Sequence, residues 1–184
     1  EYIFARKKMD ARPTAEIMPM IVEKMVRELP FPKKMHWSDK KLTFPRPIRY
    51  FMILFNNTVV PLQIEGISSG NQTRGHFVQH NRMIEIPDIQ SYQDVLLQNG
   101  VILDQDERRQ LIRRGLDEAA VKAGGVLVED DELLETVTFL VENPHIALCT
   151  FDKSFLDIPD VVLIAEMKEH QKYFAVRDKN GSLM

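Results

Sequence analysis

The charged stretch from Asp104 to Gly125 narrows what this chain can fold into more than any other feature. Asp104 is a residue type whose side-chain oxygen accepts from the unpaired amides of a first helical turn. The Gly124-Gly125 pair allows the left-handed backbone that ends a helix. The segment is therefore predicted as a helix, and the runs on either side, VIL (101–103) and VLVE (126–129), read as strands. The same alternation extends along the chain. EYIFARK opens as a strand, and Arg12-Pro13-Thr14 starts a helix in which Ile17, Ile21, Met25 and Leu29 form an apolar stripe, ended by Pro30. LTF (42–44) and IRYFMILF (48–55) read as strand, Asn56-Asn57 as a turn, VVPLQIEGI (59–67) as the returning strand, and SSGNQTRG (68–75) as a polar loop. Ser91 caps a short helix through Asn99-Gly100. DELLETVTFLVE (131–142) is a helix stopped by Asn143-Pro144, HIALCTF (145–151) a strand, PDVVLIAEMKEHQ (159–171) a helix, and YFAVRD (173–178) a strand entering an Asn180-Gly181 turn. Helices mixed with hairpins define an α+β chain with largely antiparallel sheets. Residues 1–184 are expected to form one such domain, with a possible seam near 68–83.

Composition sets the limits. The 184 residues hold one cysteine, Cys149, so no internal disulfide exists, and its apolar neighbours predict a buried structural thiol. No run approaches the roughly 20 apolar residues of a membrane span, and no basic head precedes an apolar leader. A soluble, cytoplasmic protein with no membrane partner is expected. The raw ends, Glu1 without an initiator Met and Met184 just beyond Asn180-Gly181, suggest a piece of a longer polypeptide.

Charge is unevenly distributed. Residues 1–82 carry 14 Lys/Arg against 7 Asp/Glu, whereas 83–184 carry 10 against 20. Lys33, Lys34, Lys40, Lys41, Arg46 and Arg49 make the densest basic stretch, and the six carboxylates between Glu129 and Glu142 the densest acidic one. Basic clusters can track a phosphate backbone and acidic ones repel it; solvated faces are the plainer alternative.

Catalytic constellations are largely missing. The sequence has no phosphate-binding glycine loop and no nucleophile elbow. His76 and His80 are four apart, but Phe77 stands where a helical zinc site places its glutamate. Three polar-aromatic clusters remain. In MHWSDKKLTFPRPIRY (35–50), His36, Trp37, Phe44 and Tyr50 interleave with cations, which suits unpaired bases, while a core role for Trp37 and Phe44 is the alternative. TRGH (73–76) displays Arg74 and His76 around Gly75. MKEHQKYF (167–174) places Lys168, His170, Gln171 and Lys172 at a helix C-terminus, where the helix dipole alone would favour cations.

In order, FPKxMHW (31–37), FPRPIRY (44–50), GISSGNQTRGH (66–76), SYxDxLxxxGVILDxxERRxxI (91–112), LLETVTFLVENP (133–144) and MKEHQKYFAVRDKNGSL (167–183) resemble the beta subunit of bacterial heterotetrameric glycyl-tRNA synthetase. The resemblance covers essentially the whole chain. Ser38, Tyr50 and Phe77 depart from it, standing where Gly, Trp and Arg are usual. It implies an ATP- and Mg-using ligase that attaches glycine to its tRNA, assembled from two alpha and two beta subunits. The adenylation site would lie on the alpha subunit, leaving this chain tRNA binding and architecture and no cofactor of its own. By fold analogy it also raises an α+β layout like the B3/B4 editing domain of the phenylalanyl enzyme's beta subunit. The family motifs select Arg46, Arg49, Arg74, His76, Lys168, His170, Gln171 and Lys172 as RNA-facing or interface groups, acting through phosphate and 2′-hydroxyl contacts. No residue is assigned a catalytic or metal-binding role. A pure docking scaffold and an editing-type deacylase remain as alternatives.

Overall fold

A computed structural model describes residues 2–7, 11–37, 39 and 41–184. The chain forms an α+β structure in two compact units, Glu1–Arg74 with Arg82–Tyr92, and Gly75–Asn81 with Gln93–Met184.

The first unit begins with helix α1 (Thr14–Glu28), which Pro13 precedes and Leu29, held extended before Pro30, ends. Short strands follow: β1 (Phe51–Met52), β2 (Leu54–Phe55), β3 (Thr58–Val59), β4 (Gln63–Ile64), β5 (Ile67–Gly70), β6 (Gln72–Arg74) and β7 (Met83–Glu85). β2 and β3 pair antiparallel around Asn56-Asn57, whose φ values of 48° and 61° are those a tight hairpin turn requires. β4 pairs antiparallel with β5, β5 runs parallel to β1 with Phe51 opposite Ser69, and β6 pairs antiparallel with β7. Their inner faces meet α1 in a core of Val26, Leu42, Leu62 and Ile64, with Val22, Trp37, Phe44, Ile48, Phe51 and Ile53 packed around it.

The second unit contains most of α2 (Tyr92–Gln98), then α3 (Gln105–Ala123), β8 (Val126–Leu127), α4 (Asp131–Leu140), α5 (Asp160–Glu166) and β9 (Val176–Arg177). α3 starts and stops where the sequence predicts. The Asp104 carboxylate accepts from the Asp106 and Glu107 amides, and Gly124 adopts φ 83°. β8 pairs antiparallel with β9, and Ile112, Leu116, Ala120, Leu127 and Leu134 form the core. Gly115 and Gly125 allow close approach. A Cβ on Gly125 would lie 2.5 Å from the Arg177 carbonyl oxygen, and one on Gly115 2.5 Å from Ile146 Cγ1.

Several elements differ from expectation, each for a local reason. The apolar stripe assigned to α1 is offset by one residue, about 100° round the helix, from the one that packs. Val22 and Val26 face the core instead, and Ile21 and Met25 are 54% and 51% exposed. The expected strand over 59–67 is interrupted at Pro61 and turned at Glu65-Gly66, both with positive φ. The expected polar loop 68–75 contains β5 and β6; their polar side chains hid the strand signal while hydrogen-bonding within it. Ser69 Oγ donates to the Val60 carbonyl and accepts from the Leu62 amide. VIL (101–103) is not a strand, because the Arg108 guanidinium donates to the Ile102 and Leu103 carbonyls. Ser91 does not cap α2 through its hydroxyl, which donates back to the Asp88 carbonyl. The helix expected over 159–171 is α5 followed by a π-helical turn, Met167–Gln171. Residues 2–7 and 145–151 pair with no described strand, and Cys149 is exposed rather than buried.

Ile64→Ala is expected to cost about 2–5 kcal/mol in urea unfolding, and Ile21→Ala no more than about 0.5 kcal/mol. The reverse order would restore the four-residue stripe as the buried face of α1.

Candidate nucleic-acid interface

In the first unit the chain bends at Pro45 and Arg46 and then runs towards β1. Pro47 keeps Arg46 out of helical geometry, while Phe44 and Ile48 pack on the core. Arg46 and Arg49 are exposed, and neither makes a hydrogen bond or ion pair among the described residues. Lys33 and Lys41 are exposed nearby in sequence, and Lys34 Nζ lies 6.0 Å from the centre of the Phe31 ring. Lys40 and Ser38 lie outside the described residues. The aromatic residues of this stretch divide. Trp37 and Phe44 pack against the core, with Phe44 edge-on to Phe31 at 5.1 Å, whereas His36 is exposed. Tyr50 is partly exposed, its hydroxyl 3.4 Å from Thr73 Oγ1. Counted by sequence, this unit holds 14 Lys/Arg against 9 Asp/Glu. Arg74 ends β6 opposite Met83, is half-buried, and is already engaged by a neighbour.

His76 belongs to the second unit, in the seven-residue excursion 75–81. Its amide donates to the Asn99 carbonyl at 2.9 Å, and its Nδ1 accepts from the Val78 and Gln79 amides at 3.3 and 3.2 Å. That ring nitrogen therefore shapes the turn. Gly75 is required beneath it, since a Cβ there would meet the His80 and Asn99 carbonyl oxygens at 2.8 and 3.0 Å. Phe77 and Val78 form the exposed tip.

Lys168, His170, Gln171 and Lys172 cluster where α5 passes through its π-helical turn into the left-handed Lys172. Lys168 Nζ lies 2.9 Å from both Asp130 Oδ2 and Glu132 Oε2. Its two carboxylate partners raise the ammonium pKa above the ordinary lysine value. Asp130 is held below the ordinary aspartate value, first by the Leu133 amide that it accepts as cap of α4, then by Lys168. His170 Nε2 is 3.8 Å from Glu166, and His170 and Gln171 are exposed. Sequence reasoning missed the partners of the acidic stretch. Arg109 pairs with Asp131 and Glu135, and Arg113 with Glu129 and Asp117. The signal was present as two arginines four apart on α3, which share a helix face. Among the described residues no group of three or more His, Cys, Asp or Glu could hold a metal ion, and no helix is long and apolar enough to cross a membrane. A shallow depression of about 420 Å³ is bordered by Val59, Pro61, Gln63 and Ser69, whose hydroxyl is already bonded on both sides.

The described residues thus place the exposed cations Arg46 and Arg49 in one unit of an α+β chain and carboxylates paired with Arg109, Arg113 and Lys168 in the other. The family model described as "Glycyl-tRNA synthetase beta subunit" matches residues 1–184, and the chain belongs to that family. It is 40% identical over 184 residues to the glycine–tRNA ligase beta subunit of Clostridioides difficile (strain 630), covering all of this chain and 27% of the relative. It is 38% identical over 184 residues to that of Moorella thermoacetica, covering 26% of the relative. The beta subunit of Syntrophomonas wolfei is 40% identical over 184 residues, with 27% covered. The chain thus spans about a quarter of the length of these curated relatives.

The pKa directions set the pH window of the Lys168 cluster. Asp130, lowered on folding, contributes stability above the ordinary aspartate value near 3.9 and loses it as pH falls through its folded value. Lys168, raised on folding, contributes below about 10.4 and loses that as pH rises through its folded value. Asp130→Ala is expected to cost about 1 kcal/mol at pH 7 through loss of the α4 cap. Unfolding at stepped pH checks this: the deficit should close below about pH 4, and a constant deficit would contradict it.

Proposed function

We propose that this chain is a tRNA-binding and architectural part of the beta subunit of an enzyme that attaches glycine to its tRNA using ATP. In this reading adenylation, with ATP and magnesium, takes place on a separate alpha subunit, in a cytoplasmic assembly of two alpha and two beta subunits. The observation that carries RNA binding is the pair Arg46 and Arg49: exposed guanidinium groups without a carboxylate partner among the described residues, in a unit rich in cations. Guanidinium groups match phosphate in bidentate geometry, so such a pair is suited to positioning an RNA backbone rather than breaking bonds. His170, Gln171 and Lys172 join them as candidate contacts. Arg74, His76 and Lys168 are already engaged with neighbouring groups, so their contribution is to hold the backbone that presents the others. This engagement also favours, as a second reading, a scaffold that docks other parts of the enzyme.

The test is tRNA binding by the full alpha–beta enzyme across a salt series. Arg46→Ala with Arg49→Ala should weaken binding and reduce the magnitude of the log K against log salt slope by about 1–2. Lys168→Ala should lower the unfolding midpoint and leave that slope unchanged. An unchanged slope in the double arginine variant would shift the assignment to the scaffold.

A further inference from the structure

Residues 145–151, HIALCTF, combine a strand-forming sequence with a backbone that pairs with nothing described. The segment runs without turn or bend, and none of its backbone N–H or C=O groups bonds to a described backbone group. It is nonetheless anchored: the Ile146 side chain occupies the space left by the missing Cβ of Gly115 on α3. The apolar side chains around it are not covered. Leu148 is 50% exposed and Phe151 40%, and the exposure continues through Phe155, Leu156 and Ile158. A run free of turns and bends, with unpaired backbone groups and uncovered apolar side chains, is suited to receiving another strand, because main-chain bonds supply affinity and alternate side chains supply register.

We propose that residues 145–151 receive a β-strand from the part of the beta polypeptide outside these 184 residues. The kind of occupant follows from the chemistry left open, which is backbone hydrogen bonding beside apolar surface with His145 as the only ionisable side chain apart from the Cys149 thiol. Its source follows from length. The family's chains are nearly four times as long as this one, so most of the surface able to cover the patch belongs to the same polypeptide and is tethered at high effective concentration. The inference rests on the chain being part of such a beta subunit.

The test is amide hydrogen exchange on the full-length beta subunit containing this sequence, with and without the alpha subunit, alongside alkylation of Cys149. In the beta subunit alone, alternate amides within 146–150, those facing the added strand, should exchange on the order of 100-fold slower than in denaturant, and Cys149 should be alkylated correspondingly slowly. Exchange at the unfolded rate, in a preparation that still charges glycine with the alpha subunit, overturns the inference and leaves the functional reading intact. Protection that rises with protein concentration assigns the edge to a second copy. Protection that appears only with the alpha subunit assigns it to a different chain. Either of these overturns the proposed occupant. Protection without glycine charging supports the strand and overturns the functional reading.

Discussion

Lys168 lying between Asp130 and Glu132 joins the end of the α5 helix to the start of α4, and the electrostatics of the second unit follow from this contact. Asp130 caps α4 through the Leu133 amide on Oδ1 and receives the lysine across both oxygens, closer to Oδ2, so one carboxylate fixes a helix start and a tertiary contact. Arg109 and Arg113 act in the same way from α3, each engaging two carboxylates. Exposed pairs of this kind contribute about 0–1 kcal/mol each. Their larger effect is on the field: the densest acidic run in the sequence faces cations of its own unit, so its repulsion of a polyanion is much reduced. The two units therefore differ less in effective charge than the bare count of 10 Lys/Arg against 18 Asp/Glu in the second would indicate.

Helices were legible in the sequence because their signals are local. Asp104 and Gly124 bracket α3, and Pro13 and Pro30 bracket α1. The α+β class followed from that alternation. Strand pairing was less legible. Between Ile67 and Arg74, β5 and β6 are built from Ser, Gly, Gln and Thr, residues that read as loop until Ser69 is seen bonding across to Val60 and Leu62. The Glu65-Gly66 turn was hidden because a glutamate at φ 50° has no strong sequence signature.

The candidate site was legible as residue types but not as states. Arg46, Arg49 and Lys168 look alike in sequence, yet the first two are exposed and unpaired among the described residues while the third sits against two carboxylates. The distinction depends on what lies opposite in space. For Lys168 that partner is a stretch 36 to 38 residues away, beyond the reach of periodicity or capping rules.

The course of the chain through its two units carries a further consequence. Residues 75–81 leave the first unit between β6 and β7, belong to the second, and return, so neither unit is a contiguous stretch of sequence. The turn is held in the second unit by the Asn99 carbonyl and by the space above Gly75. No single truncation point separates the units, and a cut after Tyr92 would leave the first with a foreign seven-residue loop and deprive the second of the turn that covers Gly100. Separating the two units cleanly would take three cuts in the chain, at 74/75, 81/82 and 92/93.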